Sequence, residues 1–329
     1  IEKKQVWEIV SRDTARANGL KVIKSRWIDV NKGDDIAVSY RSRLVGKEFA
    51  DKRVDGLFAG TPPLEALRFL VHEAATVEES GTGGVGSQEE KVIMINDVAR
   101  AFFEAKAIRK ICVELPEECA ESLGGRNVAL LNRSLYGTRD AAMNWQEEVA
   151  KEMRQWGFSR GHYNPCLYIH ATQNVQVFLH GDDFASVGNR ASLQWFRQQL
   201  EGRFEIKTSV IGTGVGEVRE ARVLNRILRI TDNGWEYEPD QRRAEMIVEQ
   251  LGLKEAKAVE TPTEEEKKWE AEENAQELDP DRSRAFRNIA ARCNNIAADR
   301  PDLMFAVKCT CRQMAKPTVG AWKKLKRIG

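Results

Sequence analysis

The chain has 329 residues, a formal net charge of +1 and a hydrophobic content of 42%. This length accommodates two or three subdomains, since one domain typically takes about 150 residues. No apolar run reaches the roughly 18 residues that a membrane-spanning helix requires, and the first residues do not form a signal peptide. The composition therefore argues against an integral membrane protein and predicts a soluble piece of a longer polypeptide with no membrane partner.

Cysteine and histidine usage argues against a zinc site. The sequence has 6 cysteines and 4 histidines, and no two cysteines are spaced as C-x-x-C. Structural zinc sites usually draw on closely spaced Cys or His ligands. The pattern instead predicts reduced cysteines in an intracellular compartment.

Charge is unevenly distributed along the chain. Residues 1–53 contain 13 Lys or Arg against 8 Asp or Glu, and seven basic residues but no acidic residue follow Asp302. Nine acidic residues are concentrated in 263–282, around Pro280. The basic ends are typical of a protein that binds a polyanion. The acidic stretch, which is poor in apolar residues, is interpreted as a solvated linker.

The first part of the chain predicts a hairpin followed by a helix. Apolar and polar residues alternate across 22–30 and 40–45, on either side of turn-forming residues at 31–35. Thr61 and Pro62 then fit an N-cap and a first-turn proline. Apolar residues recur after them at helical spacing, namely Leu67, Leu70, Val71 and Ala74.

Residues 81–86 match the letters of the G-x-G-x-x-G dinucleotide fingerprint. That motif binds a pyrophosphate where a strand precedes it and a helix follows it. Here a predicted helix precedes the glycines and the strand-like residues 91–96 follow, so the segment is interpreted as a flexible loop. The glycine-rich residues 212–216 are interpreted in the same way.

The remaining elements alternate between helix and strand. Asp140 has the position of an N-cap, and apolar residues continue at helical spacing as far as Trp156. Apolar strands are expected on both sides of a turn at 171–174. Beyond these lie predicted helices at 194–200 and 242–251 and two predicted strands around Asn233 and Gly234.

Three aspartates follow apolar strand segments. Asp182 and Asp183 are adjacent, and because neighbouring carboxylates repel each other, a cation is expected beside them. An exposed turn between two strands is the alternative interpretation. Asp97 ends the apolar run 92–96. If the two strands pair, the three carboxylates meet and can hold two Mg²⁺ ions about 4 Å apart, as nucleotidyl transfer requires.

Several different short motifs are distributed along most of the chain. They include YRSRLVGKEF at 40–49, DVARAF at 97–102, RSLYG at 133–137, NPCLY at 164–168, RPDLMFAV at 300–307 and WKKLKRI at 322–328. In this order they resemble the reverse-transcriptase region of copia-type retrotransposon polyproteins, whose motifs include YKARLVAKGF and DVKNAF. The resemblance extends over some 300 residues.

The resemblance implies an α+β fold of the right-hand polymerase type, with fingers, palm and thumb and an antiparallel palm sheet backed by helices. The fingers are expected in 1–90, and the palm in 91–210 with a second fingers segment at about 110–140. The remaining expected segments are the end of the palm and the thumb in 211–262, the acidic linker in 263–282, and a helical basic segment in 283–329 that leads towards a ribonuclease H domain.

The same resemblance implies an RNA-directed DNA polymerase that uses two ions of Mg²⁺ or Mn²⁺. Its catalytic and metal-binding residues would be Asp97, Asp182 and Asp183. Its nucleotide-binding residues would be Arg43, Lys47, Phe102 and Asp140. Its nucleic-acid-binding residues would be Arg41, His180, Gly181, Lys323, Lys324, Lys326 and Arg327.

Some of these roles have an alternative or depart from the family pattern. Phe102 would exclude a 2′-hydroxyl from the nucleotide, with core packing as its alternative, and Arg43 and Lys47 would meet the triphosphate unless they form only a solvated face. His180-Gly181 stands where the family usually has Tyr-Val, which removes an aromatic ring near the primer end. Asp140 replaces a Gln that usually contacts the nucleotide.

The implied partners are an RNA or DNA template with its primer, dNTPs, and the integrase and ribonuclease H regions of a parent polyprotein. The implied location is cytoplasmic, in a virus-like particle, or nuclear. Two other functions stay open. One is a catalytically decayed or repurposed nucleic-acid-binding remnant, and the other is a Mg²⁺-dependent phosphohydrolase, which leaves the basic segments without a role.

Overall fold

The computed structural model describes residues 2–31, 33, 37–49, 56–76, 90–122, 126–264 and 270–329. The chain folds as two compact units, Ile1–Val218 and Arg219–Gly329. Both units combine helices with antiparallel strands, as the α+β prediction requires. Within the described ranges, no helix has the length and apolar character needed to cross a membrane.

The first unit contains two sheets. Its strands are β1 (Trp7–Ser11), β2 (Lys21–Asn31), β3 (Tyr40–Lys47), β4 (Lys91–Val98), β5 (Ile111–Glu114), β6 (Asn127–Leu131), β7 (Ser159–Arg160), β8 (Leu167–His170), β9 (Val175–His180), β10 (Asp183–Asn189) and β11 (Ile206–Ile211). A five-stranded sheet has the order β1-β6-β5-β2-β3, and a six-stranded sheet has the order β11-β4-β10-β9-β8-β7. Neighbouring strands are antiparallel except β2 and β5, which are parallel.

Helices back the six-stranded sheet. The helices of the first unit are α1 (Arg12–Ala17), α2 (Leu64–Ala75), α3 (Glu117–Ser122), α4 (Ala141–Gln155) and α5 (Arg190–Arg203), and a 3₁₀ turn spans Ala101–Glu104. The apolar stripe of α4 enters a core with α5 and one face of the sheet, which includes Trp145, Met153, Phe196, Met94, Val177 and Phe184. Because strand residues alternate between faces, Asp97, His180 and Asp183 belong to the opposite face.

Most elements predicted for the first unit are confirmed. The predicted hairpin is β2 and β3, the predicted strand after the glycine-rich segment is β4, and the helix predicted from Asp140 is α4. Helix α2 begins later than predicted, because Thr61 and Pro62 each precede a proline and such residues favour extended backbone; Pro63 therefore holds the N-cap position. The glycine-rich segment 81–86 and most of the predicted turn 31–35 lie outside the described residues.

The second unit is a three-stranded sheet with a helical core. Its elements are β12 (Glu220–Val223), β13 (Arg226–Thr231), β14 (Gly234–Glu238), α6 (Gln241–Gln250), α7 (Ala271–Asn274), α8 (Pro280–Ala297), α9 (Met304–Cys311) and α10 (Val319–Ile328). Helices α6, α8, α9 and α10 share one buried core, which includes Ile247, Phe286, Ile289, Val307 and Leu325. The helix predicted at 242–251 and the predicted C-terminal segment therefore belong to one folded unit.

The described part of the predicted acidic linker takes part in this unit. Leu278 is buried, and Pro280 is the first residue of α8. The Asp279 carboxylate accepts hydrogen bonds from the N–H groups of Asp281 and Arg282, so it caps that helix. Acidic residues are favourable at a helix N-terminus. Composition alone did not reveal this capping role of Asp279.

Candidate active site

The structure brings the three aspartates to one end of the six-stranded sheet. Asp183 is the cross-strand partner of Asp97 in the antiparallel pair of β10 and β4, and residues in such positions have Cα atoms about 4.5–5.5 Å apart. The Asp182 carbonyl accepts a hydrogen bond from the Val98 N–H at 3.1 Å. Strand pairing thus makes these carboxylates neighbours, although about 85 residues of sequence lie between Asp97 and the adjacent pair.

The electrostatics of this site favour a cation. Burial, followed by the negative charges of Asp182 and Asp97, raises the pKa of Asp183 to about 6. In the described part of the chain, no group of three or more His, Cys, Asp or Glu side chains forms a metal-binding cluster. An open set of carboxylate oxygens nevertheless fits a hard divalent ion, because Mg²⁺ commonly combines one or two carboxylates with water and substrate phosphates.

The turn that carries Asp182 is a defined two-residue hairpin loop. Asp183 pairs with His180 across β10 and β9, which leaves Gly181 and Asp182 as the loop. Gly181 has φ +63°, whereas Asp182 is not among the residues with positive φ. Gly at the first central position is the requirement of a type II′ turn. Gly181 therefore suits the turn geometry, and its presence does not by itself loosen the site.

A lysine that sequence reasoning missed lies beside Asp97. Strand β11 pairs with the other edge of β4, and Lys207 is the cross-strand partner of Asp97. Asp183, Asp97 and Lys207 therefore form one row across three strands, on one face of the sheet. Only the pairing of β11 with β4 reveals this row, since nothing in the local sequence around Lys207 separates it from other exposed lysines.

Two aromatic rings pack against each other near the carboxylates. Phe102 is half-buried, and its ring centroid is 4.6 Å from that of Tyr136. Burial and then the Asp182 charge raise the pKa of the Tyr136 phenol, whereas Arg43 and Arg41 act in the opposite direction. The Tyr136 phenol is thus within electrostatic range of both the aspartates and the β2–β3 hairpin. Its motif was recognised in the sequence, but its position in the site was not.

The predicted basic residues of the hairpin share one face of β3. Arg41, Arg43 and Lys47 are separated by even numbers of residues, so they point to the same side of the strand. Arg41 and Arg43 lower the pKa of Tyr136, which the aspartates raise, so both sets of charges act on the same phenol. No carboxylate pairs with these three cations within the described ranges, so their charges are available to an anion.

Asp140 is not placed to contact a nucleotide, which corrects the prediction. It lies at the N-cap position of α4, but it is 3% exposed and its side chain makes no capping hydrogen bond. One carboxylate oxygen accepts from Arg109 at 2.6 Å and the other from Asn144 at 3.1 Å. Arg109 also makes a two-point ion pair with Glu48. Both carboxylate oxygens of Asp140 are therefore occupied by hydrogen bonds within the protein.

The four basic residues predicted for nucleic-acid binding in the second unit are not equivalent. Lys323 pairs with Glu270 and Glu273, and Arg327 pairs with Glu264 at 2.8 Å. Lys324 and Lys326 are exposed, and no acidic partner for them occurs among the residues described. The acidic stretch thus neutralises half of the predicted basic surface.

Sequence comparison identifies the family. The sequence model of the family described as "Reverse transcriptase (RNA-dependent DNA polymerase)" matches residues 4–265. The chain belongs to this family. The match covers the β2–β3 hairpin, the three aspartates and all described strands of both units. Membership agrees with the resemblance to copia-type elements.

Curated relatives of the chain are plant retrotransposon polyproteins. It is 24% identical over 258 residues to the retrovirus-related Pol polyprotein from transposon TNT 1-94 of Nicotiana tabacum, a match that covers 74% of the chain and 18% of that protein. It is 22% identical over 317 residues to the corresponding polyprotein from transposon RE2 of Arabidopsis thaliana, covering 93% of the chain and 20% of that protein. The chain therefore spans about a fifth of these relatives.

A solved structure of a foamy viral protease-reverse transcriptase in complex with double-stranded DNA is also similar. The similarity covers 99% of this chain and 45% of that one, at 9% sequence identity and a TM-score of 0.44.

Proposed function

We propose that this chain is the polymerase core of a retrotransposon Pol polyprotein and adds deoxynucleotides to a primer 3′ end as directed by an RNA or DNA template. The observation that carries the proposal is the cross-strand pairing of Asp97 with Asp183 beside the Asp182 turn, in a chain of the reverse transcriptase family. Integrase and ribonuclease H regions of the same polyprotein are the proposed covalent partners.

The aspartates would hold two ions of Mg²⁺ or Mn²⁺. When bound, such ions activate the 3′-hydroxyl and stabilise the charge on the leaving pyrophosphate. The chain supplies three carboxylates, and burial together with the charges of Asp182 and Asp97 raises the pKa of Asp183 to about 6. At neutral pH this group is largely ionised, so the full charge of the set is available to the cations.

The surroundings of the carboxylates fit an incoming nucleotide. Arg43 and Lys47, from the basic face of β3, would meet its triphosphate, and Arg41 would reach the neighbouring nucleic-acid phosphates. The ring pair of Phe102 and Tyr136 offers an apolar surface of the kind that excludes a 2′-hydroxyl. His180, the cross-strand partner of Asp183, would lie next to the primer end.

Two other functions make different demands on these residues. A nucleic-acid-binding remnant needs the basic surfaces but no ionised aspartates. A Mg²⁺-dependent phosphohydrolase needs the aspartates but no template. The retained row of Asp183, Asp97 and Lys207 favours catalysis over the remnant, and the unpaired basic face of β3 favours a polymerase over a hydrolase.

A primer-extension assay separates the three functions. An RNA homopolymer with a complementary DNA primer, and its DNA counterpart, would be offered the matching or a mismatched dNTP with Mg²⁺ or Mn²⁺. Polymerase activity predicts extension with the matching dNTP alone. Binding of primer-template without extension would identify a remnant. Release of phosphate from dNTP in the absence of template would identify a phosphohydrolase.

A further inference from the structure

The hairpin turn that carries Asp182 is bonded to a buried tryptophan of helix α4. The Trp145 indole Nε1–H donates a hydrogen bond to the Gly181 carbonyl at 2.7 Å. Trp145 is 1% exposed, so its indole would lose both water and protein partners without this bond. We propose that Trp145 is a positioning residue for Asp182, a role that rests on the proposed polymerase function.

The donor is held rigidly in place. The Trp145 ring packs edge-on against Phe204, with centroids 5.3 Å apart and an interplanar angle of 71°. The Arg203 guanidinium lies over the Phe204 ring at 4.7 Å. Arg203 is itself bonded to three carboxylates, those of Glu104, Glu148 and Glu152. A donor surrounded in this way has one orientation, which is what positioning of a neighbouring group requires.

The acceptor lies next to a proposed catalytic residue. The Gly181 carbonyl belongs to the peptide that precedes Asp182, and the Asp182 carbonyl belongs to the peptide that follows it. The second carbonyl accepts from the Val98 N–H of β4. Asp182 is therefore held on one side by helix α4 and on the other by the strand that carries Asp97.

These two hydrogen bonds fix the position of the Asp182 backbone, from which the side chain extends. With both flanking peptides held, the carboxylate can move only about its own side-chain torsions, and its distance from Asp97 is restricted. Without the Trp145 bond, the Gly181 peptide is free to rotate, because glycine tolerates a wide range of backbone angles. The expected consequence is a misplaced Asp182 carboxylate in a protein that is otherwise folded.

The test compares Trp145, within α4, with Trp156, the C-cap residue of α4. Trp145→Phe removes the N–H and keeps an aromatic ring. Trp156→Phe makes the same chemical change at a residue whose indole N–H has no hydrogen-bond acceptor among the described residues. We expect Trp145→Phe to lower kcat for primer extension by about 10-fold or more with little change in KM for dNTP, since displacement by about 1 Å can cost on the order of 100-fold. Trp156→Phe should stay within about twofold of the natural chain in both constants.

A second readout is independent of polymerase activity. Binding of Mn²⁺, followed by the electron paramagnetic resonance signal of the free ion, should be weaker in Trp145→Phe and unchanged in Trp156→Phe. If the natural chain extends no primer, the proposed function fails, but the Mn²⁺ comparison still decides the role of Trp145. Equal Mn²⁺ affinity and equal kcat in Trp145→Phe and the natural chain would overturn the proposal.

Replacement of Trp145 by benzothienylalanine covers the case in which Trp145→Phe does not fold. This analogue exchanges the indole N–H for sulfur and nearly preserves the shape of the ring. Reduced Mn²⁺ affinity with an unchanged melting temperature supports the positioning role. Unchanged Mn²⁺ affinity would assign Trp145 to core packing and contradict the proposal.

Discussion

Gly46 of the β2–β3 hairpin is in direct backbone contact with Gly137. The Gly46 N–H donates to the Tyr136 carbonyl at 2.7 Å, and a Cβ atom on Gly137 would lie 2.1 Å from the Gly46 carbonyl oxygen. Gly137 also has φ +83°. The contact joins the hairpin to the segment that carries Tyr136, and it requires glycine for both space and conformation.

Gly137→Ala should therefore be strongly destabilising. The expected loss in the free energy of unfolding is about 2–4 kcal/mol, from overpacking and from left-handed strain together. Gly19→Ala is the matched control, because Gly19 has φ +63° and open space around its Cβ position, and it should lose only about 1–2 kcal/mol. Urea unfolding of both variants measures the difference. Equal losses would mean that the close approach to Gly46 contributes nothing.

The buried Glu48 should make stability sensitive to acid. Burial alone would raise its pKa, but hydrogen bonds from Arg109, the Arg139 N–H and Lys21 outweigh it and lower the pKa to about 2. Because the folded pKa lies below the unfolded one, the stabilisation is complete above pH 4.5 and is lost as pH falls towards about 2. Glu48→Gln should be less stable at neutral pH by up to about 3 kcal/mol.

Glu48→Gln should also lose less stability than the natural chain when the pH is lowered. Urea unfolding at neutral pH and at about pH 3 measures the difference. The control is Glu8→Gln, which removes an exposed carboxylate of β1 and should keep the acid sensitivity of the natural chain. A fall in stability with acid that is identical in Glu48→Gln and the natural chain would contradict the role of the ion pair with Arg109.

The basic helix α10 should contribute to nucleic-acid binding through only some of its cations. Lys324→Gln and Lys326→Gln should each lower the slope of log affinity against log salt by about 0.7–0.9, which is the value for one lost phosphate contact. Lys323→Gln should change the slope less, because its ammonium already pairs with Glu270 and Glu273. Fluorescence anisotropy of a labelled primer-template across a salt series checks this. Equal slopes for all three variants would contradict it.

Phe102 should act as the gate against ribonucleotides. Phe102 is half-buried at the edge of the core and contacts Tyr136, whose phenol is within electrostatic range of Asp182 and Asp97. Phe102→Ala should raise kcat/KM for ribonucleotides relative to deoxynucleotides by about 10-fold or more, because steric rejection of the hydroxyl is lost. Phe69→Ala, at an exposed position of α2, should leave the ratio unchanged. An unchanged ratio in Phe102→Ala would assign that ring to core packing.

The parts of the site that could be predicted from sequence are those with a local pattern. Asp97 and the pair Asp182-Asp183 follow apolar strands, and the motifs around them have family counterparts. Lys207 and Trp145 could not be predicted, because their relation to the aspartates arises only when β11 pairs with β4 and when α4 packs on the sheet. No local sequence pattern indicates either contact.

Tertiary contacts also change what is expected of three predicted site residues. Asp140 was assigned to the nucleotide from its place in a motif, but Arg109, 31 residues earlier in sequence, reaches it in the folded chain. Lys323 and Arg327 are predicted to bind nucleic acid, and the acidic stretch supplies carboxylates that compete for their charges. Their contact with nucleic acid stays a prediction. Buried or paired charges depend on tertiary contacts, so composition cannot distinguish them from free ones.

Asp97, Asp182 and Asp183 are proposed to act as one metal-dependent catalytic set, and single-turnover incorporation of one dNTP tests this role most directly. Asp97→Asn and Asp182→Asn should each slow incorporation by about 100-fold or more, since bound metal supplies several kcal/mol of transition-state stabilisation. Asp232→Asn is the control, because Asp232 is an exposed aspartate in the two-residue loop between β13 and β14, and it should keep the rate of the natural chain. Incorporation by Asp97→Asn and Asp182→Asn at the rate of the Asp232→Asn control would contradict the account.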